Sequence, residues 1–180
     1  KPYQPAGLWK VVAITGSNTR IFEKDSGESL YRRSLYTFWK RTAPPPSMAA
    51  FNAPTREQCT VRRERTNTPI QALVLMNSPQ FVESARHLAE SAIRESDDLT
   101  KRAHWMFQRT FSRPATDADV DDMLAIAKEL SSIFEQNSKS AGELIRTGDS
   151  LPSENLDAVE VAAWTMVANT LMNRDDFISK

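Results

Sequence analysis

The run TPIQALVLMNSPQFVESARHLAESAI, residues 68–93, decides the fold class. It contains two helix starts ten residues apart. In Thr68-Pro69-Ile70-Gln71, Thr68 is a suitable N-cap and Pro69 fits the first helical position, where its missing N–H is not needed. Gln71 is placed to bond back to the cap. Ile70, Leu73, Val74 and Asn77 then follow helical spacing. Ser78-Pro79 repeats the signal, so a second helix begins almost at once. Its apolar positions are Phe81, Val82, Ala85, Leu88, Ala89, Ala92 and Ile93. They advance by one, three and four residues, which traces a stripe on a helix.

The pattern continues downstream. A third helix is predicted over Thr100 to Ser112, with Ala103, Met106, Phe107, Thr110 and Phe111 on one face, and Arg113-Pro114 breaks it. A fourth starts after Thr116, a capping side chain, with Asp117 and Asp119 well placed for the helix dipole. Its stripe is Val120, Met123, Leu124, Ala127, Leu130 and Phe134. Residues 136–155 are polar and Ser-rich, with Gly142, Gly148 and Pro152, and read as a mobile loop. A last helix is expected from about Leu156 to Met172, burying Val161, Trp164, Thr165, Ala168, Leu171 and Met172. Such stripes are buried only by packing on one another. The expectation is one mainly α domain over 1–180, bundle-like, with about five helices and a core from 68–135 and 156–173.

Upstream, residues 1–67 read as an irregular, partly extended arm. Leu8 to Ile14 fits a short strand or one helical turn. In Leu30 to Arg41, Leu35, Thr37 and Trp39 alternate with Tyr36, Phe38 and Lys40, which suits an extended segment, with a helix as second choice. Pro44-Pro45-Pro46 ends whatever precedes it. Met48 to Asn67 has no clean period and reads as an ordered loop. The Pro-rich, polar start at Lys1 reads as entry from a preceding segment, so the chain is expected to be a piece of a larger protein.

Composition narrows the chemistry. The chain has 180 residues, 40% of them hydrophobic, enough for a real core. Cys59 is the single cysteine, so no internal disulfide forms. With only two histidines beside it, the usual zinc sets cannot be assembled. The five glycines are too far apart for a phosphate-cradling loop. No window reaches the roughly 18 apolar residues of a membrane span. Net charge is zero but unevenly placed. Arg32 to Arg65 carries eight basic and two acidic residues, whereas Asp117 to Asp176 carries thirteen acidic and four basic. Such asymmetry marks either a partner surface or two regions that face each other.

Each candidate site residue has a plainer reading beside it. His87 has Glu83 and Glu90 at helical spacing, which suits a carboxylate-oriented general base or, more plainly, a solvated histidine near two surface acids. His104 reads as a buried-edge histidine. Cys59 has Arg56, Arg62 and Arg63 near it in sequence, and cations activate a thiol, yet a lone cysteine is usually a small hydrophobe. No Gly-x-Ser-x-Gly elbow is present. The best binding candidates are Arg62, Arg63, Arg65 and Arg56 with Tyr36 and Trp39. Guanidinium groups clasp phosphate, sulfate or carboxylate, and aromatic rings offer stacking faces. The plainer reading makes the arginines internal ties that hold the loop to helix C-termini and to the acidic half. A nucleic-acid protein would usually be basic overall, so that partner is not expected.

One set of residues carries a resemblance. Tyr31-Arg32-Arg33-Ser34-Leu35-Tyr36, Pro44-Pro45-Pro46 with Phe51-Asn52-Ala53-Pro54, and Arg62 through Leu73 occur together. Asn77-Ser78-Pro79-Gln80-Phe81-Val82-Glu83 and the stretch from Ala163-Trp164 to Phe177 continue it. The set resembles the planctomycete "PSD" domain, a C-terminal domain of unknown function. The resemblance implies the end of a large exported protein, periplasmic or on the cell surface, often with a cytochrome c domain. It implies no cofactor in this chain. Any haem would belong elsewhere in the parent protein, because no Cys-x-x-Cys-His occurs here. It transfers no catalytic residue. Asn52 stands where the family pattern suggests Asp, which weakens any role for that position as an acid. The expected function is a scaffold or interaction domain without catalysis, contacting other domains of its parent through Tyr31 to Arg65. The alternative is a hydrolase or carbohydrate-binding unit for acidic or sulfated polysaccharide, using the same arginines with Glu57 or Cys59.

Overall fold

The computed structural model describes residues 1–178. The chain divides into two compact units, Lys1–Val74 and Leu75–Lys180. Nine α-helices occur among the described residues: α1 (Leu8–Val11), α2 (Pro46–Ala50), α3 (Pro69–Asn77), α4 (Pro79–Glu95), α5 (Leu99–Phe111), α6 (Asp117–Gln136), α7 (Ser138–Ile145), α8 (Ala158–Met172) and α9 (Asp175–Ile178). The mainly α class holds. The expected helix number was too low because α1, α2 and α9 span only four or five residues, too short to show a period, and because α7 lies in the stretch read as a loop.

The first unit is mostly coil. Its small core gathers on Trp9, which is buried and packs edge-on against Phe22 at 5.0 Å and tilted against Phe38 at 5.4 Å. Lys40 closes over it, its Nζ 4.9 Å from the Trp9 ring centroid and donating to Thr19 O at 2.7 Å. Leu8 to Ile14 forms the single helical turn α1. The extended reading of Leu30 to Arg41 fails: Ser34–Tyr36 is a 3-10 turn, and no strand occurs among the described residues. A strand needs a partner edge, and none lies among the described residues. The short helix Pro46–Ala50 runs into the segment read as loop, which began at Met48.

At α3 the cap forms as expected. Thr68 N–H donates to Gln71 Oε1 at 3.0 Å, and Gln71 N–H donates to Thr68 Oγ1 at 3.4 Å. The stripe read into α3 is corrected, however. Ile70 and Leu73 are exposed, and Gln71 and Leu75, one turn apart, are buried instead.

The second unit is a helical bundle around α8. Val161, Ala162, Ala163, Trp164, Thr165, Val167, Ala168, Asn169, Leu171 and Met172 are all buried, so α8 is covered on all but the face of Met166 and Thr170. Ala85, Ala89, Ala92 and Ile93 of α4, Met106 and Phe107 of α5, Val120, Met123 and Ala127 of α6, and Ala141 and Ile145 of α7 share its core. Alanines dominate where α4 meets the core, which lets helix axes approach closely. The helix starts are chemically defined. Asp98 Oδ1 accepts from Thr100 and Lys101 N–H, and Thr116 and Asp119 make a complete capping box for α6.

Residues 136–155 are not one loop. Asn137 Oδ1 accepts from Ser140 N–H at 3.2 Å and starts α7, which buries Ala141 and Ile145 at i, i+4 spacing. The polar composition hid that pair. His104, read as a buried-edge histidine, is exposed.

Candidate functional site

Two places concentrate polar side chains, one in each unit. In the first unit, residues 52–66 form a loop whose two ends are fastened together. Asn52 has φ 55°, a left-handed conformation that asparagine tolerates better than most residues. From there its Nδ2 donates to Thr66 Oγ1 at 2.6 Å. Gln71, buried in the first turn of α3, donates from Nε2 to the same Oγ1 at 2.9 Å and to Ala50 O at 3.0 Å. Thr66 thus joins the incoming chain, the outgoing chain and the helix that follows. A loop closed at its neck with an open tip is an Ω-loop, a form that often carries function.

Glu57 of the loop and Arg41 outside it make a fork. Nε donates to Glu57 Oε1 at 2.6 Å, and Nη2 donates to Oε2. The Arg41 hydrogen bonds hold the Glu57 carboxyl below the usual range, and Glu57 raises Arg41 in return. Arg56 lies over the Trp39 ring at 4.8 Å, and its φ of 66° is a second left-handed residue in this loop. The two contacts moor the loop to residues 39–41.

Of the residues singled out in sequence, Arg56 and Trp39 therefore meet, and Glu57 is engaged by Arg41. Arg62, Arg63 and Arg65 are exposed, and so is Tyr36. Among the described residues, Arg62 and Arg63 make no ion pair or side-chain hydrogen bond. Cys59 is an exposed free thiol. His87 and His104 both belong to the second unit. Arg41, Asn52, Thr66 and Gln71 were not assigned a role in the loop from sequence, because their contacts span 5 to 21 residues and follow no period.

The second place is a charge cluster on α4 that sequence reading missed. Glu83, Arg86 and Glu90 are 1%, 0% and 3% exposed, so the two glutamates are not surface acids. Arg86 Nη1 donates to Glu90 Oε1 at 3.0 Å, and its Nη2 lies 3.7 Å from Glu83 Oε1. The segment after α7 supplies the remaining partners. Glu83 Oε1 accepts from the N–H groups of Asp149 and Ser150 at 3.0 and 2.7 Å and from Ser150 Oγ. Arg86 donates to Ser150 O at 2.9 Å, Leu151 O at 3.0 Å and Ser150 Oγ at 2.7 Å. Ser153 N–H donates to Glu90 Oε1 at 3.1 Å. Backbone donors meet the carboxylates and backbone acceptors meet the guanidinium, so the segment neutralises the cluster while being held by it. A signal was present in the sequence: Arg86 lies four residues after Val82 and three before Ala89, inside the apolar stripe.

His87 is exposed, and its Nε2 lies 2.8 Å from Ser150 Oγ. The Ser150 hydroxyl donates its proton to the buried Glu83 and accepts from the buried Arg86, which fixes it between two side chains of α4. The cluster is a clamp.

Among the described residues no group of three or more His, Cys, Asp or Glu side chains is placed to hold a metal ion. Among the described residues no helix is long and apolar enough to cross a membrane. No curated protein and no solved structure matches the chain. A family model does match residues 1–127, which include the whole Ω-loop and the α4 side of the clamp, and the chain therefore belongs to the PSD1 family, described as a protein of unknown function (DUF1553).

Proposed function

We propose that this chain is an interaction domain of a larger exported, cytochrome-c-associated protein of the periplasm or cell surface, without catalysis of its own. It contacts an anionic partner through Tyr31 to Arg65. The carrying observation is that Arg62 and Arg63 stand exposed on an anchored Ω-loop and, among the described residues, pair with no carboxylate. Arginines that serve only as internal ties would have such partners. The acid an enzyme would need nearby, Glu57, is occupied by Arg41. Export, the cytochrome association and the planctomycete setting come from the family resemblance, and the haem of that association belongs to another part of the parent protein.

Anchoring matters energetically. A loop held at Thr66, Glu57 and Arg56 has already lost most of its freedom, so a ligand does not have to order it on binding. Titration of the intact chain with a heparin-like sulfated polymer and with DNA, at two salt concentrations, tests the reading. Salt-sensitive binding that drops at least tenfold in an R62Q/R63Q variant is expected. Failure to bind any anionic polymer at low salt overturns it.

A further inference from the structure

We infer that the anionic partner of this surface is a lipid bilayer, an inference that rests on the interaction reading just given. The first unit repeats one juxtaposition. Arg32-Arg33 precedes Leu35-Tyr36, and Val61 precedes Arg62-Arg63. In both, the apolar side chains face water: Leu35 is 76% exposed, Tyr36 69%, and Val61 fully. Ser34–Tyr36 is a 3-10 turn, and the mooring of Arg56 on Trp39 and of Glu57 on Arg41 begins three residues beyond it. The two sets flank the same mooring in sequence, Tyr36 three residues before Trp39 and Val61 four residues after Glu57.

A soluble polyanion would satisfy the guanidinium groups and leave Leu35 and Val61 in water. The headgroup region of a bilayer answers both. Phosphates pair with arginine, the acyl boundary takes the aliphatic side chains, and tyrosine is at home between them. Charge follows the same division. Residues 1–74 hold twelve basic and five acidic residues, net +7, and residues 75–180 hold eleven and eighteen, net −7. The unit with most of the exposed large apolar side chains is the one an anionic membrane attracts.

The test is co-sedimentation of the intact chain with vesicles of equal parts phosphatidylglycerol and phosphatidylcholine, and with phosphatidylcholine alone. Binding to the first and not the second is expected, with the partition coefficient falling about fivefold for each of Arg33→Gln, Arg62→Gln and Arg63→Gln. An L35S/V61S variant, altered only at exposed positions and checked by circular dichroism, should lose vesicle binding at least tenfold and keep its affinity for the sulfated polymer. Polymer binding without vesicle binding, or vesicle binding indifferent to L35S/V61S, overturns the bilayer inference and leaves the interaction reading standing. Binding to neither polymer nor vesicles sinks both.

Discussion

Gly148 lies so close to Glu83 that a Cβ added at the glycine would sit 2.7 Å from Glu83 Oε2 and 2.8 Å from its Cβ. Its φ of 116° is also one that side-chain-bearing residues rarely adopt. Glycine is required twice over, once for the turn and once for the approach. Gly148→Ala should therefore cost about 2–4 kcal/mol by chemical denaturation, combining strain with displacement of a buried carboxylate. Gly142 makes the internal control. It lies inside α7 with open space around it, so Gly142→Ala should stabilise by about 0.5–1 kcal/mol.

Arg86→Met removes the cation that lies between Glu83 and Glu90, leaves Glu90 only the exposed Arg94, and strips Ser150 and Leu151 of their donor. A loss of about 3–5 kcal/mol is expected, read as a shift of the denaturation midpoint. The triple variant E83Q/R86M/E90Q should recover part of it, because no uncompensated charge is then left inside. A triple variant as unstable as Arg86→Met would show that charge burial is not what makes the cluster costly to break.

Thr66→Val takes away the oxygen that accepts from both Asn52 and Gln71. Losing such a shared acceptor costs roughly 1–2 kcal/mol, which should appear as local opening. Trypsin should nick the chain after Arg62 or Arg63 about tenfold faster, while amide exchange in α4 and α8 stays unchanged. Equal acceleration of exchange in both units would mean that the neck supports more than its own loop.

Asp119 gives the pH dependence a sign. Its carboxyl is lowered to about 2, first by the hydrogen bond from Arg174 and then by that from Thr116. A carboxyl lowered by folding adds stability above its unfolded value near 4, and that share is lost as pH falls from 4 toward 2. With Arg174 partly exposed, the share is about 1 kcal/mol. Asp119→Asn should be less stable than the parent by this amount at pH 7 and equal to it near pH 2.

Helix starts and apolar stripes were legible in the sequence because both are local. Thr68 with Gln71, and Thr116 with Asp119, declare their caps within three residues, and Val82 to Ile93 repeats at the helical period. The three short helices carry too few residues for a period. Glu83 and Glu90 were misplaced because charge ordinarily marks solvent, and the backbone N–H groups that meet them lie 63 to 67 residues away. The arginines of the Ω-loop were visible as a composition. What holds that loop, a threonine shared by an asparagine and a glutamine, has no compositional mark at all.

The envelopment of α8 bears on where this protein can be divided. The recognised family signature stops at residue 127, and the helix that every large neighbour leans on begins at Ala158. A chain cut at the signature's edge would leave Ala85, Ala89, Ala92 and Met106 facing water where α8 had been, an apolar trench prone to self-association. The inheritable pattern and the cooperative body have different borders, and experiments on the second unit should respect the latter.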